Sequence, residues 1–496
     1  MKQPKRNGVL TLRTKAETFH KAFLCALIVS VIAALIPNGL TNSAFAKSAA
    51  FREERVTFVS GTGEFEEVIE GTILIPNHTS SAYPGIVLAH GSGINKEGGG
   101  GNQTAVRKEA EVFAKAGLIT LLYNKRSKGY SKTNRSYELL AQDLIAGVRA
   151  LQKRSDVIKN KVGVWGLSEG AWVAPIAATK STDIAFVITS GGPGISPIQQ
   201  QTWNVENRLR HQGITNQSAI QALVRNGAGI MLSLSRSESD RHDPVPVLQN
   251  VHQPFLALWG SIDRQVPPAE SAQIFKDAFE SSGNRYYTLQ FIEGADHSIY
   301  NNTDDGFRTL KTLYPGYAEA MTSWIQQVVE DKPPVAKMIG KTPVQMSSSP
   351  EEVVKIDWYD LYWLHLSVSA FILIICLFAL SVSLVNKIRN HKPLLIKGYS
   401  NWICLSAMIS IIGFWLYLVS IWMNGGRDVG WVVFGTPFLW LLLQTVSTAA
   451  VILTVISIVH TLRKRERQGR NKMELLVIGT GIIYIPWALY WHLCFF

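Results

Sequence analysis

Four long apolar runs near the C-terminus constrain this chain of 496 residues more than any other feature. They cover about Trp363–Val385, Trp402–Trp422, Pro437–His460 and Leu475–Leu493. Backbone polar groups inside hydrocarbon must find their partners within the segment, so runs this long with so few charges predict membrane-spanning helices. Trp363, Trp402, Trp422, Trp431, Trp440 and Trp491 lie near the run ends, where interfacial anchors belong. His365, Gln444 and His492 are polar residues in these spans and are read as interfacial or paired between helices. No span carries an acidic residue poised for ion coupling, which argues against transport.

Charge supports the same reading. The formal net charge is +12, and three basic clusters more than account for it. They are Lys2–Lys21, Lys387–Lys397 and Arg463–Lys472, and each flanks an apolar run. Excess charge placed this way reads as membrane topology, and a nucleic-acid partner is not expected. The loops at 386–400 and 461–473 are predicted to be cytoplasmic, which puts the residues before the first span outside. The N-terminus agrees: a basic stretch, an apolar core from Ala22 to Pro37 and a small-x-small site at Ala44-Phe45-Ala46 predict a secretory signal peptide, cleaved after Ala46. The localisation expected is a multi-pass cell-membrane protein with its soluble part on the extracytoplasmic side.

Between these segments, residues 47–335 read as one water-soluble domain, followed by a Pro- and Ser-containing linker over 336–361 and the four-helix region over 362–496. Cys25, Cys376, Cys404 and Cys494 all lie in apolar runs, so neither a disulfide framework nor a cysteine-based metal site is expected, and no cofactor is implied. The domain opens with alternating runs at Arg55–Ser60 and Glu66–Pro76 around Gly61-Thr62-Gly63, a hairpin pattern. Short apolar strands are then predicted at Gly85–Ala89, Ile119–Tyr123, Lys161–Trp165, Ala185–Thr189, Phe255–Trp259 and Tyr287–Ile292. Helical patterns at Thr104–Ala116, Tyr137–Lys153 and Ala269–Phe279 fall between them. Alternation of this kind predicts an α/β fold, a mostly parallel sheet with helices on both faces. Residues 192–251 break the rhythm with helices alone and are read as a small helical cap over the carboxyl ends of the strands, where ligands bind.

Gly166-Leu167-Ser168-Glu169-Gly170 follows one predicted strand and precedes a helix of small residues. That context suits a strained turn that exposes a nucleophilic serine hydroxyl. Serine needs a base, and the base needs an orienting acid. Asp263 and His297 each sit just after a later strand, at the same sheet edge and in the order such a site requires. Asp296 adjoins the base, Asp243, His242 and His211 fall in the cap, and His252 precedes a strand, so these are worse placed. The backbone N–H groups of Ser92, in His90-Gly91-Ser92-Gly93, and of Glu169 are the candidate oxyanion donors. His90 reads as structural, and Gly98–Gly101 as a flexible rim rather than a phosphate cradle, since no P-loop lysine follows.

These elements together resemble the α/β-hydrolase superfamily over roughly residues 50–330, and within it bacterial esterase and serine-aminopeptidase-like members. The stretches that carry the resemblance are His90–Gly93, Tyr123-Asn124-Lys125-Arg126-Ser127-Lys128-Gly129-Tyr130-Ser131, Gly166–Gly170, Gly260–Pro267 and His297. Asn124 stands where the family usually has Asp and Ser127 where it has Gly, and the acidic pattern usual after Gly93 is missing. The resemblance implies a serine hydrolase acting on a small ester, or alternatively an aminopeptidase or acyl-peptide hydrolase acting on a short peptide, with Glu169 as one acid for a substrate ammonium. From the residues alone, a catalytically silent, ligand-binding membrane sensor stays open beside these.

Overall fold

The computed structural model describes residues 50–77, 80–92, 101–131, 134–345, 347–389, 398–463 and 472–495. The expected signal peptide, Gly93 with most of the Gly98–Gly101 run, and the middles of both basic loops lie outside the described residues.

The alternating runs at the start fold as an antiparallel pair, β1 (Phe51–Ser60) and β2 (Glu67–Pro76), in register from Phe51 opposite Pro76 to Ser60 opposite Glu67. The short apolar runs become β3 (Tyr83–Ala89), β4 (Ile119–Tyr123), β5 (Val157–Leu167), β6 (Val187–Ser190), β7 (Phe255–Gly260) and β8 (Tyr287–Ile292). The strand order is β1-β2-β4-β3-β5-β6-β7-β8 with a ninth strand beyond β8. Every pairing from β4 onward is parallel. All residues of β4, β6 and β7 are buried, which is why these strands read as unbroken apolar runs and not as alternation.

Helices α1 (Arg107–Lys115), α2 (Tyr137–Gln152) and α3 (Glu169–Lys180) follow β3, β4 and β5. The α2 start is capped by Ser136, whose side chain accepts from Leu139 N at 3.3 Å. Two apolar clusters sandwich the sheet, one around Trp172, Phe275 and Phe279, the other around Phe113, Phe186 and Trp324.

The cap is helical: α4 (Pro197–His211), α5 (Gln217–Ile220), a π-helical stretch Gln221–Asn226, α6 (Gly227–Leu234) and α7 (Pro244–Leu248). Ser196 and Gln199 form a capping box at the α4 start, with Pro197 in the first helical position. After the cap come α8 (Pro268–Ser282), a small hairpin of β9 (Tyr300–Thr303) and β10 (Arg308–Leu313), and α9 (Tyr317–Val329). The segment expected to be a plain linker differs from expectation. Lys337–Ile339 forms β11, which pairs in parallel with the free edge of β8 and adds the ninth strand. Three residues with all side chains exposed leave no periodicity to read; an open edge of backbone donors and acceptors recruits them.

Four apolar helices complete the chain: α10 (Tyr362–Arg389), α11 (Tyr399–Asn424), α12 (Phe438–Arg463) and α13 (Lys472–Tyr490). Their mean hydropathies are 2.8, 2.1, 2.1 and 1.5 over the most apolar stretch, and each is long enough to cross a bilayer. Large apolar side chains such as Phe371, Ile374, Leu377 and Leu416 point outward. The interior holds polar ties between helices, with Tyr484 Oη donating to Ser410 or Ser447 at 2.8 and 2.7 Å. His365 Nε2 lies 2.7 Å from Tyr359 O, and Gln444 Nε2 donates to His492 O at 3.1 Å, so these polar residues are tied to backbone carbonyls. Between α11 and α12 a two-residue ladder, β12 (Val432–Val433) with β13 (Thr436–Pro437), turns through Phe434 and Gly435.

The cap and this bundle share one apolar core. Val205, Leu209, Ile214, Ile220 and Leu223 of the cap are buried in the same cluster as Phe414, Leu418, Trp440 and Trp491. Trp422 Nε1 donates to Leu223 O at 2.9 Å inside the π-helical stretch, and a Cβ on Gly227 would meet that indole at 2.7 Å.

Candidate active site

Ser168 sits between β5 and α3 with φ 54° and ψ −111°, a conformation that L-residues adopt only under strong constraint. The flanking glycines explain how the turn closes. A Cβ on Gly166 would lie 2.0 Å from Gly170 O, and one on Gly170 would lie 2.1 Å from Ala89 O. No side chain fits at either position, so strand and helix approach at backbone distance. Ser168 N donates to Ser190 O at 3.0 Å, which ties the turn to the end of β6.

Asp263 and His297 come together in the loops after β7 and β8. His297 Nδ1 lies 2.8 Å from Asp263 Oδ2, and both residues are buried. Asp263 Oδ1 accepts from Gln265 N at 2.8 Å and Val266 N at 2.9 Å, so the carboxylate is held by three donors. Burial alone lowers the His297 pKa, but the Asp263 charge, the hydrogen bond to it and the Asp296 charge together raise it above the ordinary imidazole value. The serine and the imidazole meet the same piece of chain. Gly191 follows Ser190, and a Cβ there would lie 3.0 Å from His297 Nδ1 and 2.9 Å from Cε1. Among the described residues no hydrogen bond joins Ser168 Oγ to His297. Such bonds are commonly long before substrate binds and tighten afterwards. With Nδ1 engaged by Asp263, Nε2 is the nitrogen left for proton exchange.

The alternatives weighed on sequence are occupied elsewhere. Asp296 Oδ1 accepts from Ser298 N and Tyr300 N, each at 3.0 Å, and so shapes the loop that carries His297. His211 pairs with Asp304, while His242 stacks edge-on against Tyr137. His90 is buried with Nδ1 3.0 Å from Gly91 O, and burial, with the nearby Lys125 charge, pushes its pKa down to about 4, so it stays neutral.

One part of the site was quoted in the sequence without a role. Lys125 Nζ reaches Glu169 Oε2 at 2.5 Å and the carbonyls of Gly91 at 2.9 Å and His90 at 3.3 Å. Tyr130 Oη donates to Glu169 Oε2 at 2.8 Å, and Arg135 Nη1 lies 3.2 Å from Oε1. Burial opposes ionisation of Glu169, but Lys125 and Arg135 outweigh it and hold the pKa below the usual carboxylate range. Glu169 is therefore already neutralised, which removes it as an acid for a substrate ammonium. The cluster ties the His90–Ser92 loop to the first turn of α3, the two segments that carry the candidate oxyanion donors. Glu169 N–H opens its helix, where no intrahelical acceptor exists. The signal available was a lysine just past a strand end and an acid next to the candidate serine, neither of which looks solvated once both are placed at one sheet edge.

Residues 104–323 match the family model described as "Prolyl oligopeptidase family". No curated protein sequence matches the chain. Among solved structures it is similar to a 2,6-dihydroxy-pseudo-oxynicotine hydrolase, with 17% identity and TM-score 0.41 over 58% of this chain and 71% of that one. An esterase of Pyrococcus furiosus gives 17% identity and TM-score 0.38 over 57% and 92%. A puromycin-hydrolyzing peptidase of Mycobacterium tuberculosis gives 16% and 0.40 over 61% and 42%. The family match thus falls on an α/β domain whose sheet is mostly parallel with helices on both faces, and four apolar helices compatible with a membrane region follow it.

Proposed function

We propose that the chain is a membrane-anchored serine hydrolase that cleaves carboxylic esters through Ser168, His297 and Asp263. The observation that carries this reading is the 2.8 Å contact of Asp263 with His297 Nδ1, at the same sheet edge as a serine held at positive φ. In the first step His297 Nε2 takes the Ser168 proton as Oγ attacks the acyl carbonyl. The tetrahedral oxyanion is held by the N–H groups of Ser92 and Glu169. His297 then returns the proton to the leaving alkoxide, and an acyl-enzyme results. Water, deprotonated by the same imidazole, releases the acid and restores Ser168. Esters need less leaving-group activation than amides, which favours them. The family match favours a second reading, cleavage of short peptides, but the neutralised Glu169 offers no site for a free N-terminus.

The hydrolase domain meets the bundle end that carries the weakly charged 424–430 loop, opposite both basic loops. That arrangement supports an extracytoplasmic hydrolase domain, the side to which the expected signal peptide would also send it.

Fluorophosphonate labelling of the purified full-length protein tests the nucleophile. Labelling is expected in wild type and lost in Ser168→Ala; a folded wild-type protein that does not label would leave the silent sensor as the better account. A panel of nitrophenyl esters and aminoacyl nitroanilides then separates ester from peptide cleavage.

A further inference from the structure

Helix α4 is the cap element that faces the catalytic loops. Gln200 Nε2 donates to the carbonyl of Gln265, two residues past Asp263, at 2.5 Å. His211 Nε2 meets Asp304 Oδ1 at 3.0 Å, and its ring stacks on Phe307 with centroids 3.9 Å apart. Gln200, Asn204, Asn207 and His211 recur at helical spacing and so share this face. Another flank of the helix packs Val205 and Leu209 against Gly426, in the loop after α11. Gln212 Nε2 fixes that loop by donating to Gly426 O at 2.7 Å.

Arg208 lies at the seam between the two faces. Its Nε donates to Asn204 Oδ1 at 2.9 Å, and among the described residues no carboxylate pairs with it. Its charged neighbour is another cation. Arg427 follows Gly426, and burial together with the Arg427 charge lowers the Arg208 pKa from its ordinary value. The Arg208 charge opposes protonation of His297, and Arg208 rides on the helix that touches the loop after Asp263 through Gln200. One residue before it, Asn207 is 1% exposed, and neither atom of its side-chain amide has a hydrogen-bond partner. A buried amide left unpaired keeps the full cost of its lost hydration. A half-buried guanidinium facing a like charge adds to that cost. Both features lie on one turn of the helix that touches the loop after Asp263, and an anion accepting from both would relieve them.

We infer that Arg208, with Asn207 and Asn204 beside it, holds an oxyanion group carried by the substrate, a carboxylate or a phosphate, so that the natural substrate is an anionic ester. The inference rests on the hydrolase reading and names the substrate class for that site. A planar guanidinium presents paired donors that match either oxyanion, and such charge-assisted bonds are the strong ones.

The test uses the purified full-length protein and compares 4-nitrophenyl butyrate with the 4-nitrophenyl half-ester of glutarate, which carries a free carboxylate at similar length. The wild-type protein is expected to show kcat/KM about tenfold or more higher for the half-ester. Arg208→Met is expected to bring that ratio close to one, chiefly through the KM of the charged ester. Arg208→Lys, which keeps the charge and loses the fork, and Asn207→Leu should each lower the ratio and give the reading if Arg208→Met does not fold. Inorganic phosphate and glutarate, tried as competitive inhibitors of butyrate hydrolysis, tell which oxyanion the site takes. A wild-type ratio near one, or a ratio that no variant changes, overturns the inference. If no ester turns over at all, it is the hydrolase reading that fails; the anion site is then read by thermal shift, where phosphate or glutarate should raise the Tm of wild type and not of Arg208→Met, and no shift with either overturns the inference.

Discussion

Replacing Asp263 by asparagine tests the proposed mechanism at one atom. The carboxylate uses its two oxygens differently: Oδ1 accepts from the backbone N–H groups of Gln265 and Val266, and Oδ2 faces His297 Nδ1. In Asp263→Asn the amide oxygen is drawn to the two backbone donors. The reversed orientation would set an NH2 group against two N–H groups, leaving two buried donors without acceptors at about 1–3 kcal/mol each. The favoured orientation points the NH2 group at Nδ1, which must then accept. The imidazole proton moves to Nε2, the nitrogen that has to receive the Ser168 proton. The negative charge that stabilises the imidazolium is lost as well. Together these predict a kcat lower by about 10^3 to 10^4, or roughly 4–5.5 kcal/mol of barrier, with KM little changed, because Asp263 is buried behind the histidine. The pH profile gives a second readout. His297 is held above the ordinary imidazole pKa by Asp263, so wild-type kcat/KM is lost as pH falls through a midpoint above about 6.5. Without the carboxylate charge, burial dominates and the midpoint moves to lower pH. Steady-state ester hydrolysis between pH 5 and 9, with circular dichroism as a check of folding, measures both. A folded variant within tenfold of wild type, or a midpoint unmoved, would refute the assignment of Asp263.

Lys125→Met removes the cation that ties Glu169 to the Gly91 carbonyl; it should destabilise the domain by about 3 kcal/mol and lower kcat by roughly 10- to 100-fold with little change in KM, as urea unfolding and ester kinetics can check. Glu109 is buried in α1 with Oε2 unpaired, and burial pushes its pKa up to about 7. The folded state thus binds a proton more tightly than the unfolded chain, so stability is full below about pH 4.5 and declines as pH rises towards 7. Glu109→Gln should therefore raise the unfolding free energy at pH 8 by on the order of 3 kcal/mol, seen as a higher Tm, and do little near pH 4.5; an equal effect at both pH values would sink the argument.

The sheet and the sequence positions of the candidate triad were legible because each rests on a local signal. Unbroken apolar runs such as Ile119–Tyr123 have few folds other than a buried parallel strand once helical patterns separate them. The elbow announces itself through two glycines that the packing of Gly166 and Gly170 makes obligatory. What escaped depends on partners distant in sequence. β11 exists because the edge of β8 is open, and nothing in Lys337–Ile339 encodes that edge. The Lys125–Glu169 pair joins residues 44 apart. Each looks ordinary alone, a basic residue after a strand and an acid in the first turn of a helix. Arg208 and Asn207 likewise read as polar residues of a cap helix until the unpaired Asn207 amide and the missing carboxylate partner of Arg208 among the described residues are seen in three dimensions.

The union of cap and bundle gives the four apolar helices a structural part in the proposed hydrolase. Leu209, Ile214, Ile220, Leu223 and Val224 are almost wholly buried in the cluster they share with α11, α12 and α13. The π-helical stretch leaves the Leu223 carbonyl available to the Trp422 indole, and Asn226 Nδ2 donates to Tyr490 O at 2.9 Å. Gly435 O accepts from Thr215 N and Asn216 N, so the small hairpin between α11 and α12 holds the end of the cap as well. A cap held only by its two connections could swing; this one is fastened at several points to the helical bundle. Because α4 belongs to that cap and also touches the loop after Asp263, the helix that faces the candidate site is positioned by the apolar bundle. Burying the outer face of the cap against the bundle spares it exposure to water, so the four helices support the cap from the side away from the catalytic loops.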